Sequence, residues 1–508
     1  MLNTDNRGNP VVYAKFKGNP ATSGSRKKIL FYGHCRYYYT FRDPRLTFLD
    51  DVVPADDKLG KWIIDPFEMK GVNGYLYGRG VSDNKGPIMA ALYGVVDLVQ
   101  NKCLDSDITF LIEGEEESGS RGFKEAVRRH KELIGDIDYI ILANSYWLDD
   151  EVPCLTYGLR GVLHATIKVD SNHPDMHSGV DGSFMMDEPL FDLTAVLAKL
   201  KGLHNRIQIP NFYDNILPLT ATEEARYDDI TETLIRRKPA LGPADALKAS
   251  LMARWREPNL TIHRYRVSGP DGSLVSSHAS AAISLRLVPN QEVEDVARSL
   301  EAFLHSRFSE LDTHNRLSIV IDNTADAWLG DPENAIFRTL EEAIMEVWGP
   351  IGDTRRFSVP NFKANTPTSP SHSPSLKPSP TTTTTLIGNS DHNILASRSM
   401  SPLQSPSGPP NIPRRNSSIS SLTQAITPLS IAPPIPNRSV GRKPLYIREG
   451  GSIPSIRFLE KEFGAPAAHL PCGQASDSAH LDNERLRIKN LLKSREIFAK
   501  VFGRLGSR

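Results

Sequence analysis

Three adjacent carboxylates, Glu115, Glu116 and Glu117, follow an apolar segment that has the composition of a buried strand. In the stretch TFLIEGEEESGS they lie between Gly114 and Gly119, which mark a turn. A run of acidic residues is most often a solvated surface. In an open α/β sheet, however, the turn after a buried strand lies at the edge where ligand sites collect. The stretch therefore predicts a site for a positively charged group.

Histidine and further acidic side chains occur in similar turns elsewhere in the chain. His34 ends the strand-like KKILFYGH, Asp83 lies in the glycine-rich GRGVSDNKG, and His480 lies in SAHLDNE. Imidazoles and carboxylates together are the ligands that borderline cations such as Zn²⁺ prefer. A single His or Asp beside a turn is usually a cap or a satisfied core group. Several of them in separate loops of one pattern predict a metal site.

The elements that must position these residues form an α/β pattern. Short β-rich runs such as DITFLIEG and IDYIILAN alternate with helical patterns such as GPIMAALYGVVDLVQ. This alternation predicts a parallel-rich sheet with helices on both faces. From about residue 162 the pattern changes to α+β, which predicts a smaller inserted domain. The predicted organisation is a first domain over 1–161, the inserted domain over 162–325, and a return to the first domain over 326–359 and 443–508.

Residues 360–442 belong to neither domain in this prediction. Ser, Thr and Pro crowd the segment, as in TPTSPSHSPSLKPSPTTTTT, and few large apolar residues are available for burial. Such a composition cannot offset the entropy lost on ordering, so the segment is predicted to be a disordered insert.

Composition excludes several classes of protein. Lys plus Arg and Asp plus Glu are 60 each in 508 residues, so no basic field indicates nucleic acid or an anionic membrane as a partner. The first residues lack signal-peptide features, and no apolar run approaches the roughly 20 residues of a membrane span, so a cytoplasmic location is expected. Four scattered cysteines without CxxC spacing indicate neither a disulfide framework nor a zinc ribbon.

The chain resembles the M20 family of metallopeptidases, which includes cytosolic nonspecific dipeptidases and carnosinases. The resemblance rests on the segments GRGVSDNKGP, EGEEESGS, CLTYGLRG, DMHSGVDG, SLRLVPNQ, REGGSIP and AHLDNE. It implies a catalytic α/β domain interrupted by a smaller lid and dimerisation domain, with two metal ions in the cleft. Within the family, the chain looks most like peptidase-like subunits that take part in glutathione degradation.

The resemblance implies roles for the residues of the predicted metal site. Asp83 would bridge the two metal ions and His34 would bind one of them. Glu117 and His480 would bind the other ion. Glu116 would be the general base that takes a proton from the attacking water.

The resemblance also implies a substrate pocket and a homodimer formed through the lid domain. His177 of DMHSG would polarise the substrate carbonyl from across the dimer. The residues implied to hold the terminal groups of a short peptide are Arg286, Glu449, Gly451 and Ser452.

One departure from the family pattern concerns a metal ligand. The family's metal-binding Asp aligns with Asn144 in ILANSYWLDD. An amide offers a carbonyl oxygen but no negative charge, so the metal position nearest His34 is predicted to be weakened. Zn²⁺ is the expected metal. The resemblance implies two bound ions, and a single bound ion is the alternative for this chain. Mn²⁺ accepts the same ligands.

A second departure separates His34 from Asp51. In the family, one residue lies between the ligand His and an Asp that orients its ring. Here the segment from Cys35 to Asp50 intervenes. It is either a surface loop, which costs little entropy, or an unspliced short intron, and the second interpretation is favoured. Asp51 is the candidate for the orienting, catalytic Asp in both cases.

Two hypotheses about function remain open at this point. The first is a metal-dependent hydrolase of di- and tripeptides that takes part in glutathione degradation. The second is a non-catalytic, peptidase-shaped scaffold for a glutamine-amidotransferase-like partner that cleaves glutathione. The retained residue types at the predicted metal site favour the first hypothesis.

Overall fold

The computed structural model describes residues 1–4, 8–20, 26–35, 62–180, 186–269, 272–349 and 443–506. Three predictions fall elsewhere. Asp51, residues 36–50 of the segment after His34, and the predicted insert over 360–442 all lie outside the described residues.

The described residues form strands and helices that alternate in the first part of the chain. The strands are β1 (Val12–Phe16), β2 (Lys28–His34), β3 (Lys70–Val72), β4 (Tyr75–Tyr77), β5 (Asp107–Glu113), β6 (Tyr139–Leu142), β7 (Cys154–Leu159), β8 (Gly161–Asp170), β9 (Met176–His177), β10 (Asn259–Val267), β11 (Leu274–Val275), β12 (His278–Leu287), β13 (Arg316–Ala325), β14 (Trp328–Leu329), β15 (Leu445–Glu449), β16 (Ala467–His469) and β17 (Arg485–Arg487). The helices are α1 (Gly86–Gln100), α2 (Phe123–Arg129), α3 (Lys131–Ile134), α4 (Pro189–Ala198), α5 (Ala221–Arg237), α6 (Ala244–Arg256), α7 (Val293–Ser309), α8 (Ala335–Trp348), α9 (Pro454–Phe463) and α10 (Ile488–Leu505).

The larger sheet is mixed, with the order β1-β5-β2-β6-β16-β7-β14 and β15 paired to β7. Its centre is parallel, because β2 pairs in parallel with both β5 and β6, and β16 pairs in parallel with β6. β15 is also parallel to β7, whereas β1 and β14 pair in the antiparallel sense. This parallel-rich sheet and its helices confirm the predicted α/β class.

The chain reverses its direction across the sheet after β5. β2 leads through α1 to β5 on one side, and β5 leads through α2 and α3 to β6 on the other side of β2. Because parallel crossovers are right-handed, the two connections place their helices on opposite faces of the sheet. The reversal leaves a crevice at the carboxyl ends of β2, β5 and β6, where ligand sites form in such sheets.

Buried aromatic residues hold these strands against the helices. Phe31 of β2 packs against Phe110 of β5 and, edge to face, against Phe498 of α10. Both β2 and β5 are buried over all but their first residue, as parallel strands covered on two faces usually are. Within the described ranges, no helix combines the length and the apolar character needed to cross a membrane.

A second, antiparallel sheet has the order β10-β12-β8-β13. Buried residues alternate with half-buried ones along most of β8, and the buried face packs against α4 and α7 through a separate apolar cluster. These elements occupy residues 161–325, close to the predicted inserted domain, but the division into domains stays a prediction. Helices α5 and α6 pack instead against β15 of the larger sheet, through Tyr227, Trp255 and Ile447 among others.

Candidate metal centre

The carboxyl ends of β2, β5 and β6 bring three of the predicted site segments together. His34 is the last residue of β2 and lies opposite Glu113, the last residue of β5. Glu116 and Glu117 follow in a single 3₁₀ turn, and Asn144 follows closely after β6. Because parallel strands end at one edge of the sheet, these side chains meet there.

Asp83 reaches the same edge from the loop before α1. Gly80 has a φ of 81°, a left-handed conformation that glycine adopts at little cost. Asn84 anchors the loop, because its amide donates to the backbone carbonyl of Ala143 and its side-chain oxygen accepts from the backbone N–H of His34 at 3.4 Å. The loop is thus tied to the ends of both β2 and β6.

The two carboxylate oxygens of Asp83 face two different imidazoles. Oδ1 lies 3.1 Å from Nε2 of His34, and Oδ2 lies 3.0 Å from Nε2 of His480. The same His480 nitrogen lies 3.0 Å from Oε1 of Glu117. One ligand atom each from His34, Asp83 and Glu117 lie within 4.8 Å of one another. A carboxylate flanked in this way can bridge two cations.

The side chains of the adjacent Glu115, Glu116 and Glu117 point in different directions. Glu115 is 3% exposed and accepts hydrogen bonds from the backbone N–H and the side chain of Asn9, both at 2.9 Å. It also pairs with Arg121 at 3.0 Å. Glu115 therefore holds the turn in place, and only Glu116 and Glu117 line the cleft.

Buried negative charge dominates the electrostatics of the centre. Burial raises the pKa of Glu116 to about 8, and Glu117 and Asp83 add to the shift against the opposing effect of His34. Burial lowers the pKa of His34, but Glu116 and Asp83 outweigh it and raise that pKa to about 10. Hydrogen bonds to Asp83 and Glu117 raise the pKa of His480 to about 10. The carboxylates thus create a field that favours bound positive charge.

Asn144 places an amide beside His34. Its Nδ2 lies 3.2 Å from Nε2 of His34, and its Oδ1 accepts from the backbone N–H of Ser145 at 2.6 Å. Rotation of the amide by 180° would turn the oxygen toward His34, still without a negative charge. The structure therefore brings Asn144 into the centre, where it supplies no charge.

A cleft of about 330 Å³ opens next to these groups. Its lining includes all four residues predicted to hold a peptide, namely Arg286, Glu449, Gly451 and Ser452. Arg286 donates to Oγ of Ser452 at 3.3 Å. Glu449 accepts from Oγ1 of Thr156 at 2.8 Å, and burial raises the pKa of Glu449 to about 7. Among these four residues, Arg286 is cationic and Glu449 is acidic.

His177, another predicted site residue, does not line this cleft within the described residues of a single chain. It is the last residue of β9, its side chain is exposed, and its Nδ1 accepts from the backbone N–H of Gly179 at 3.1 Å. Its contribution across a dimer stays a prediction.

The cleft also contains residues that sequence reasoning missed. Tyr146, His164 and Asn323 line it. Asn323 lies over the turn after the acidic run, because a methyl group placed on Gly119 would come within 2.9 Å of the Asn323 amide. Tyr146 could have been found from its place two residues after Asn144. No motif marks the other two, which belong to strands of the second sheet.

Comparison with known proteins identifies the family. The model of peptidase family M20/M25/M40 matches residues 51–367. The Cys-Gly metallodipeptidase dug1 of Schizosaccharomyces pombe is 31% identical over 98% of this chain and 83% of its own length. The chain therefore belongs to peptidase family M20/M25/M40.

Two further proteins show how the chain relates to this family. The Saccharomyces cerevisiae protein named "Probable di- and tripeptidase DUG2" is 35% identical over 98% of this chain, but the match covers 44% of that relative. The chain thus spans less than half of DUG2. A solved structure of the dipeptidase Dug1p from Saccharomyces cerevisiae, 24% identical, has a TM-score of 0.64 and covers 98% of this chain and 83% of its own. That likeness shows a shared fold.

Proposed function

We propose that this chain is a metal-dependent hydrolase of di- and tripeptides. The observation that carries the proposal is the position of Asp83 between His34 and His480, beside a cleft of peptide size. Glu116 and Glu117 stand next to it. Relatives named as a metallodipeptidase and as a di- and tripeptidase support this reaction class.

The donor set fits divalent metal ions. Imidazole nitrogens and carboxylate oxygens lie close enough to share an ion, and Zn²⁺ or Mn²⁺ suits this mixture. His34, Asp83, Glu117 and His480 would hold the ions, with Asp83 between two positions. Bound ions would polarise the scissile carbonyl and acidify the attacking water. Because Asn144 carries no negative charge, the metal position near His34 would bind an ion more weakly than the other position.

Glu116 is the proposed general base. Its side chain is 10% exposed, and one of its oxygens lies 3.9 Å from Nε2 of His34, so it stands beside the metal-binding groups without replacing them. From there it takes the proton of the attacking water and delivers it to the leaving amine. Glu117, its neighbour, faces His480 instead.

The remaining residues of the cleft orient the peptide. Arg286 offers a positive charge to the substrate carboxylate, and Glu449 offers a negative one to the amino terminus. Gly451 and Ser452 add hydrogen-bonding groups next to them. His177 of a second copy polarises the carbonyl, which requires a homodimer formed through the inserted domain.

Cys-Gly is the proposed first substrate, because the fission-yeast relative is named a Cys-Gly metallodipeptidase. A cytoplasmic role in glutathione degradation is proposed with it, since Cys-Gly is part of glutathione. The alternative, a scaffold for an amidotransferase-like partner, has less support because the site keeps both imidazoles and all but one of the acidic groups.

Hydrolysis of Cys-Gly and of a panel of di- and tripeptides by the purified chain tests the proposal. Activity should require Zn²⁺ or Mn²⁺, disappear with a chelator, and return when metal is added. Hydrolysis that is insensitive to chelators in protein without bound metal would contradict it. Glutathione breakdown that needs an amidotransferase-like partner and is unaffected by Glu116→Gln would favour the scaffold.

A further inference from the structure

Glu484 is a buried carboxylate that the proposed mechanism does not use. It is 1% exposed and lies just before β17. Its Oε2 accepts from the backbone N–H of Gly80 at 2.8 Å and from Nη1 of Arg79 at 3.0 Å. Its Oε1 accepts from the backbone N–H groups of Ser82 and Asp83 at 3.0 and 3.1 Å. All four donors belong to the loop that carries Asp83.

These contacts satisfy backbone hydrogen-bond donors of that loop. The backbone N–H groups of Gly80, Ser82 and Asp83 lie next to the centre, and a buried N–H without an acceptor is destabilising. One carboxylate satisfies all three of them. Charge-assisted hydrogen bonds of this kind are also stronger than neutral ones.

Glu484 belongs to the same short segment as His480, whose Nε2 lies 3.0 Å from Oδ2 of Asp83. A second contact joins the two segments, because Asp477 accepts from Oγ of Ser82 at 3.4 Å. Two loops that lie far apart in the sequence are therefore tied together directly behind the pair of side chains that faces the cleft.

We infer that Glu484 is a positioning residue that sets the separation of Asp83 and His480, and through it the affinity of the centre for a divalent cation. The inference rests on the proposed function. Glu484 is hydrogen-bonded to the backbone of Asp83 and to three further donors of the same loop, so its effect passes through the loop.

Glu484→Gln is the direct test, because it keeps the shape of the side chain. In the variant, an amide NH₂ replaces one carboxylate oxygen. This group cannot accept a hydrogen bond from the N–H groups of the loop, and the negative charge opposite Arg79 is lost. The dissociation constants of Zn²⁺ and Mn²⁺, measured by calorimetry on the full chain, should rise about 10-fold or more, the scale for residues that orient metal ligands.

A matched control separates positioning from general stability. Glu223 is also buried, at 5% exposed, and pairs with Arg448 at 2.9 Å and Arg256 at 3.0 Å. Glu223→Gln removes the same charge from a buried ion pair on α5, outside the Asp83 loop. It should lower Tm while leaving both metal dissociation constants at the wild-type value.

If Glu484→Gln does not fold, Glu484→Asp decides the question, because it keeps the charge and withdraws the carboxylate by one methylene. The folded variant should also bind metal more weakly than wild type. Wild-type metal affinity in whichever variant folds would overturn the inference and leave the proposed function standing. A wild-type chain that binds neither metal would overturn both.

Discussion

Asn144→Asp should tighten metal binding at the position next to His34. The Asn144 amide nitrogen lies 3.2 Å from Nε2 of His34, so a carboxylate on the same atoms would face any cation held by that imidazole. The backbone need not move, because Asp and Asn have the same shape. The change restores the charge that the family pattern has at this place.

The expected gain follows from the opposing charges. A carboxylate and a divalent cation about 4 Å apart attract by about 8 kcal/mol at an effective dielectric constant of about 20. Repulsion from Asp83 and Glu116, and the cost of burying a fourth carboxylate, offset most of that attraction. The net gain should be about 1.4–2.7 kcal/mol, which corresponds to a dissociation constant about 10- to 100-fold lower.

Calorimetry with Zn²⁺ and Mn²⁺ measures the dissociation constant and the number of ions bound, which should move toward two. Thermal unfolding adds a second signature. In chelator the new buried charge should lower Tm, and in excess metal tighter binding should raise it, so the sign of the Tm change reverses.

Asn490→Asp is the matched control for this experiment. Asn490 is fully buried on α10, and its amide donates to the carbonyl of Cys472 at 3.4 Å. The control should lower Tm with and without metal. An unchanged dissociation constant for Asn144→Asp, with a Tm change like that of the control, would show that the missing charge does not limit metal affinity.

Two further predictions concern the turn after β5, and a third concerns Asp477 in the segment before β17. Glu116→Gln should bind metal like wild type and lower kcat on the order of 10²-fold or more, the contribution of a positioned base; loss of metal would contradict that role. Gly119→Ala should lower the free energy of unfolding in urea by about 1–2 kcal/mol, because the φ of 92° is unfavourable for alanine and Asn323 is close. Burial raises the pKa of Asp477 to about 7, so wild-type stability should fall relative to Asp477→Asn as pH rises from about 4 to 7. A constant difference in urea unfolding across that range would count against it.

The residues of the centre could be predicted because local signals mark each one. His34, Glu116 and Glu117 follow apolar runs with the composition of buried strands, and Asp83 lies in a glycine-rich turn before a helix. The structure brings these side chains together with His480 at the end of the parallel strands. Strand-end position is a property of short sequence windows, which is why it could be read without the fold.

Other features depend on contacts between distant segments and carry no local signal. Glu115 looks like its two neighbours in the sequence, and only the position of Asn9 and Arg121 turns it away from the cleft. Asn323 enters the cleft from the second sheet. Glu484 ends the AHLDNE segment, but nothing in that segment predicts that its side chain is buried against the Asp83 loop.

The same contacts explain how the fold tolerates so much buried negative charge. Burial of the Glu116 carboxylate is costly, and its raised pKa expresses that cost, to which the neighbouring Glu117 and Asp83 add. The loops carrying them cannot relax apart, because Asn84 fixes one to the strand ends and Glu484 fixes it to the segment of His480. The cost is therefore retained in the folded state, where a bound cation can relieve it. Loops fixed in this way would hold the carboxylates in place for divalent ions, whose positive charge would offset the cost of burial.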